Sequence, residues 1–98
     1  MKTSKIADKI IKIMYRDFVE TGNIFSCGDE IVSQFPDEPR HIVFSAIKML
    51  GTDGFLNVSY ADDEPNNIAL NTSAIQQCDE NTMLKKGYAF VKEICSWI

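Results

Sequence analysis

Residues 26–51, SCGDEIVSQFPDEPRHIVFSAIKMLG, decide the fold. Ser26 stands at capping distance from Asp29 and Glu30, so a helix is expected to start there. It should run through Ile31, Val32 and Gln34 and stop at Phe35-Pro36. Asp37 is placed to cap a second helix, with Pro39 tolerated in its first turn. That helix continues through Ile42, Val43, Ala46, Ile47, Met49 and Leu50 to Gly51. Two short helices joined by a tight Phe-Pro-Asp turn form a helix-turn-helix.

On the N-terminal side, Lys5 to Glu20 is strongly periodic. Ile6, Ala7, Ile10, Ile11, Ile13, Met14 and Phe18 cover one arc of a helix, and Lys5, Lys9, Lys12 and Arg16 form a basic stripe opposite. The stripe is either a solvated face or a binding feature. Thr21-Gly22 ends this helix, because Gly supplies a left-handed cap. Ile24-Phe25 then reads as one rung of a strand. On the C-terminal side the period changes after Gly51-Thr52-Asp53-Gly54. Phe55 to Tyr60 and Asn67 to Asn71 alternate as strands around the turn-rich Ala61-Asp62-Asp63-Glu64-Pro65-Asn66. The result is a β-hairpin with an acidic tip and a loop longer than the two-residue type. Thr72 to Ile75 suggests a helical turn. From Met83 to Ile98 an apolar arc of Met83, Leu84, Tyr88, Phe90, Val91, Ile94, Cys95, Trp97 and Ile98 predicts a final helix.

Ninety-eight residues hold one domain, residues 1–98, around one core. A composition of 45% apolar and 24% charged residues fits an ordinary globular chain. The longest uncharged stretch, Pro65 to Cys78, is too short and polar to span a bilayer, and the charged N-terminus does not read as a secretory signal. No membrane association is expected. Three cysteines without a C-x-x-C motif indicate neither a disulfide framework nor a zinc site, so a cytoplasmic location is expected. Net charge is −4 and the pI about 4.8, unlike the basic values typical of nucleic-acid binders. Residues 1–20 carry five basic and three acidic groups, while the remainder carries five basic and eleven acidic groups. The chain has a mildly basic start and an acidic remainder.

The order helix, short strand, helix, helix, hairpin, helix resembles an α+β winged helix-turn-helix, with Phe55–Asn71 as the wing. More narrowly, the acidic wing followed by Ile68-Ala69-Leu70, then Asp79-Glu80-Asn81-Thr82 leading to Lys92-Glu93-Ile94, resembles the YjcQ family. Those are small, poorly characterised winged-helix proteins of Gram-positive bacteria and their phages. The resemblance implies that the Asp37–Leu50 helix is the recognition helix. It brings a fold and almost no biochemistry.

On that helix Arg40, His41, Phe44, Ser45 and Lys48 lie off the apolar arc and offer a face for a major groove. Phe44, at the edge of the arc, could instead pack under the wing. The wing, with Tyr60, Asp62, Asp63, Glu64 and Asn66, argues the other way, since its three acids would be repelled by phosphates. Two readings follow. One is a DNA-binding, regulator-like protein of bacterial or prophage origin that binds double-stranded DNA, which the resemblance favours. The other is an interaction module or decoy whose acidic wing meets a basic protein partner. Catalysis is not expected: His41 is the only histidine, Cys27, Cys78 and Cys95 lack catalytic spacing, and no phosphate loop or cofactor motif follows a strand. A homodimer is also expected. The terminal helices carry more apolar area than one small core covers, leaving a patch centred on Tyr15, Leu84, Tyr88, Cys95 and Trp97 unless those helices satisfy each other.

Overall fold

The computed structural model describes residues 2–72, and the expected final helix with Leu84, Tyr88, Cys95 and Trp97 lies outside the described residues. Within them the architecture is α+β: α1 (Thr3–Thr21), β1 (Phe25–Cys27), α2 (Gly28–Ser33), α3 (Arg40–Thr52), β2 (Leu56–Ala61) and β3 (Glu64–Leu70). The three strands form one antiparallel sheet in the order β1-β3-β2. Among the described residues no helix is long and apolar enough to cross a membrane.

α1 ends as its sequence dictates. Gly22 takes φ 80° and donates its N–H to the Phe18 carbonyl at 2.8 Å, a left-handed closure that costs glycine nothing. The inner face of α1 (Ile6, Ala7, Ile10, Ile11, Met14) packs on α3, which contributes Val43, Ala46, Ile47 and Leu50. Tyr15, Ile31, Phe35, Phe44, Phe55, Leu56, Ile68 and Leu70 complete the core. Each large aliphatic side chain fully buried here is worth about 1.5–3 kcal/mol.

Both expected helix caps are displaced, each for a local reason. α2 begins at Gly28 with Cys27 at the N-cap and no side-chain cap bond. Ser26 is held one residue earlier, where it pairs with Ile68 in the sheet. α3 begins at Arg40, with Pro39 at its N-cap and no bond from Asp37. A residue preceding proline avoids the helical region, so Glu38 separates Asp37 from the helix. The Pro39 carbonyl accepts from Ile42 and Val43 instead, at 3.1 and 3.3 Å.

The hairpin is tighter than its composition suggests. Asp62 and Asp63 alone form the turn, with φ of 53° and 65°, and Ala61 pairs with Glu64 across it. Two consecutive positive φ values belong to a type I′ turn, whose twist suits the flanking strands and whose conformation aspartate tolerates better than most residues. The slack is taken up by a bulge: Ser59 faces Asn67 and Tyr60 faces Pro65, leaving Asn66 as the extra residue. Pro65 lies beyond the end of β1, which pairs only with residues 67–69, so its missing N–H breaks no ladder bond. Gly28 passes so close to the Pro65 carbonyl that a Cβ there would overlap the oxygen. The absence of a side chain at Gly28 lets α2 sit against the hairpin.

Candidate interaction surface

The exposed side of α3 and the hairpin form one continuous surface joined by Arg40. The Arg40 Nη2 donates to Asp29 Oδ1 of α2 at 2.6 Å and to Glu64 Oε2 of β3 at 3.3 Å. Its guanidinium also lies over the Phe44 ring, 4.6 Å from the centroid. The hydrogen bond that Arg40 donates to Asp29 is the main influence holding its guanidinium even more firmly protonated than usual, and Glu64 adds to it. One cation therefore ties three elements together on the surface.

Phe44 is buried, 9% exposed, beneath this cation. The expectation that it offers a face to a groove is corrected: its ring serves the core and carries Arg40 above it, a four-residue helical spacing that places the two side chains together. His41, Ser45 and Lys48 remain exposed. Ser45 donates its hydroxyl to the His41 carbonyl at 2.9 Å, and the Lys48 ammonium stands 5.9 Å from the Tyr60 ring centroid. Both cations of α3 thus face groups of their own chain.

The hairpin residues Tyr60, Asp62, Asp63, Glu64 and Asn66 are all exposed. They do not act as one acidic tip. Asp62 and Asp63 occupy the turn, while Glu64 begins β3 and bonds to Arg40. The basic stripe on α1 is placed as its spacing requires, with Lys5, Lys9 and Arg16 exposed and Lys12 half-buried.

Tyr15 lies on the inner face of α1 and is 3% exposed, with its ring 5.8 Å from that of Phe18. Burial pushes its phenol above the ordinary value. It is not part of an exposed apolar patch, which corrects that element of the proposed dimer interface. Its spacing of four from Ile11 was the signal that it belongs with the core. Nothing in the sequence marks Arg40 as a partner of Asp29 and Glu64, since they lie 11 and 24 residues away.

Among the described residues no group of three or more His, Cys, Asp or Glu is arranged to hold a metal ion. Comparison of the chain with protein-family models, with curated proteins and with solved structures finds no match.

Proposed function

We propose that the chain is a non-enzymatic winged-helix interaction module whose α3–hairpin face engages a basic protein partner. The element order and the three-stranded sheet are compatible with a winged helix. The likeness to the YjcQ family rests on the sequence of the acidic wing with Ile68-Ala69-Leu70, Asp79-Glu80-Asn81-Thr82 and Lys92-Glu93-Ile94. The observation that carries the functional reading is the engagement of Arg40 by Asp29 and Glu64. Arg40 is the residue best suited to read guanine or clamp phosphate from this helix, and it already meets two carboxylates. Residues 22–72 carry two basic and eight acidic side chains. A duplex approaching α3 would meet this excess of like charge, whereas a cationic protein would be steered by it.

DNA binding is the second reading, favoured by the exposed Lys5, Lys9 and Arg16 on α1. Exposed ion pairs are worth only about 0–1 kcal/mol, so phosphate could compete for Arg40 if α1 supplied the attraction. Anisotropy titrations with a random duplex and with polylysine separate the two. The proposal predicts salt-sensitive polylysine binding that Asp62→Asn with Asp63→Asn weakens more than Glu20→Gln with Glu30→Gln, and negligible duplex binding near physiological salt. Duplex binding that Arg40→Ala with Lys48→Ala abolishes would overturn it.

A further inference from the structure

α1, β1 and α2 enclose an open groove of about 330 Å³ whose lining does not include Asp29, Arg40 or Glu64. Ile10, Met14, Ile24 and Ile31 contribute its apolar lining, and Ile13 and Phe25 extend it to the surface. Phe25 is 68% exposed, the most exposed large apolar residue described. Asp17, Glu20 and Glu30 set three carboxylates around the groove against one cation, Arg16.

Among the described residues the strand bordering this groove, β1, is an edge of the sheet. β1 bonds to β3 through Ile24 and Ser26, since the Leu70 N–H donates to the Ile24 carbonyl and Ser26 faces Ile68. In an antiparallel pair the intervening residue, Phe25, turns its main-chain groups away from the partner strand. Those groups are met by one side chain. The Phe25 N–H donates to Asn23 Oδ1 and the Phe25 carbonyl accepts from Asn23 Nδ2, both at 3.1 Å. The Asn23 amide, anchored to Asp17 Oδ2 at 2.8 Å, stands where the peptide unit of an added strand would stand. Side-chain cover of this kind blunts an edge against indiscriminate pairing and leaves it open to a segment that offers more.

We propose that this groove binds an extended peptide segment of a partner protein, in which an apolar side chain packs against Phe25 and Ile13 and neighbouring lysine or arginine residues meet Glu20 and Glu30. The segment pairs with the Phe25 main chain in place of the Asn23 amide, as strand-addition interfaces do. The apolar anchor supplies most of the affinity, because a large exposed ring beside a concave floor is where binding energy concentrates. The rim carboxylates select the cationic flank and set the association rate.

The test is an NMR titration of the full chain with a short synthetic peptide alternating isoleucine and lysine, and with a counterpart alternating isoleucine and glutamate. The lysine peptide is expected to shift the Ile13, Ile24 and Phe25 signals and to slow exchange of the Phe25 amide proton. Phe25→Ser is expected to weaken binding on the order of thirtyfold, as loss of a central anchor does. Glu20→Lys with Glu30→Lys should weaken it about tenfold, the effect of two exposed ion pairs. All three positions are on the surface, so folding is retained and is checked on the same spectra. Asp62→Asn with Asp63→Asn should leave the Ile13, Ile24 and Phe25 shifts unchanged even where it reduces shifts at α3 and the hairpin, which keeps the groove result distinct from the α3–hairpin proposal. Shifts confined to α3 and the hairpin, equal affinity for the glutamate peptide, or concentration-dependent groove shifts in the peptide-free chain, which would make a second copy the occupant, each overturn it.

Discussion

The cations of α1 and those of α3 are both carried on exposed helix faces, yet they are set by different physics. Lys5, Lys9, Lys12 and Arg16 recur at three- and four-residue intervals, so one face of one helix gathers them whatever the rest of the chain does. Arg40 and Lys48 also lie on one helix, but their surroundings come from α2 and the hairpin: Asp29, Glu64 and Tyr60. The first arrangement is local and the second is tertiary. Charge on a helix wheel therefore shows where a cation points and not what it meets.

The comparison breaks most completely where α2 touches the hairpin. Gly28→Ala would drive a methyl into the Pro65 carbonyl and toward the Phe44 ring, 3.4 Å from its Cε1. The expected loss is about 3 kcal/mol, the upper range for overpacking against a backbone that cannot yield, read from urea denaturation midpoints. Gly22→Ala at the end of α1 is the matched control. It has open space around it and φ of 80°, so only the left-handed strain of about 1 kcal/mol should be lost.

The turn offers a change in the opposite direction. Asp63→Gly should stabilise the chain by about 1 kcal/mol, because its φ of 65° suits glycine and the second central position of a type I′ turn favours it. A fall in thermal midpoint would mean that Asp63 holds the turn by an interaction stronger than the strain.

A smaller effect follows from Tyr15 on the inner face of α1. Its folded pKa is raised by burial above the ordinary 10.0. The neutral phenol is thus favoured in the folded chain, and its contribution is complete below the unfolded value. As pH rises through and above 10.0, the unfolded chain releases its proton first and stability falls. Urea midpoints on either side of that pH should differ more in the native chain than in Tyr15→Phe.

The smallest expected change is at the surface. Arg40→Ala should lower the thermal midpoint slightly at low salt and less at high salt, since its partners are exposed and screened. Lys5→Ala should leave it unchanged at both.

What the sequence made legible follows the same division. The extent of α1, its Gly22 cap and the buried Ile6, Ile10 and Ile11 follow from periodicity, as does the run from Ile42 to Leu50, whereas Ile13, read into the same arc, is exposed. The hairpin was legible as a pair of strands but not as a tight turn, because Asp62-Asp63 lacks the glycine that usually marks a type I′ turn and Pro65-Asn66 read as more loop. In the structure Pro65 sits beyond the end of β1 and Asn66 is a bulge, so neither interrupts the strand. The caps failed at Ser26 and Asp37 because a strand and a proline claimed the adjacent backbone. Phe44 and Tyr15 lay at the margins of their apolar arcs, where a wheel assigns a side and cannot assign depth. The Arg40 cluster and the Asn23 cover on β1 depend on contacts between elements, and no short-range pattern encodes them.

The central claim is that the carboxylates of Asp29 and Glu64 hold Arg40 away from phosphate. Duplex binding by the Asp29→Asn, Glu64→Gln double variant, titrated against salt beside the native chain, tests it most directly. Removing both charges frees the guanidinium and lowers the local negative potential, so the variant should gain salt-dependent duplex affinity where the native chain has little. A native chain that binds duplex DNA strongly, with an affinity and salt slope the double variant leaves unchanged, would contradict the account.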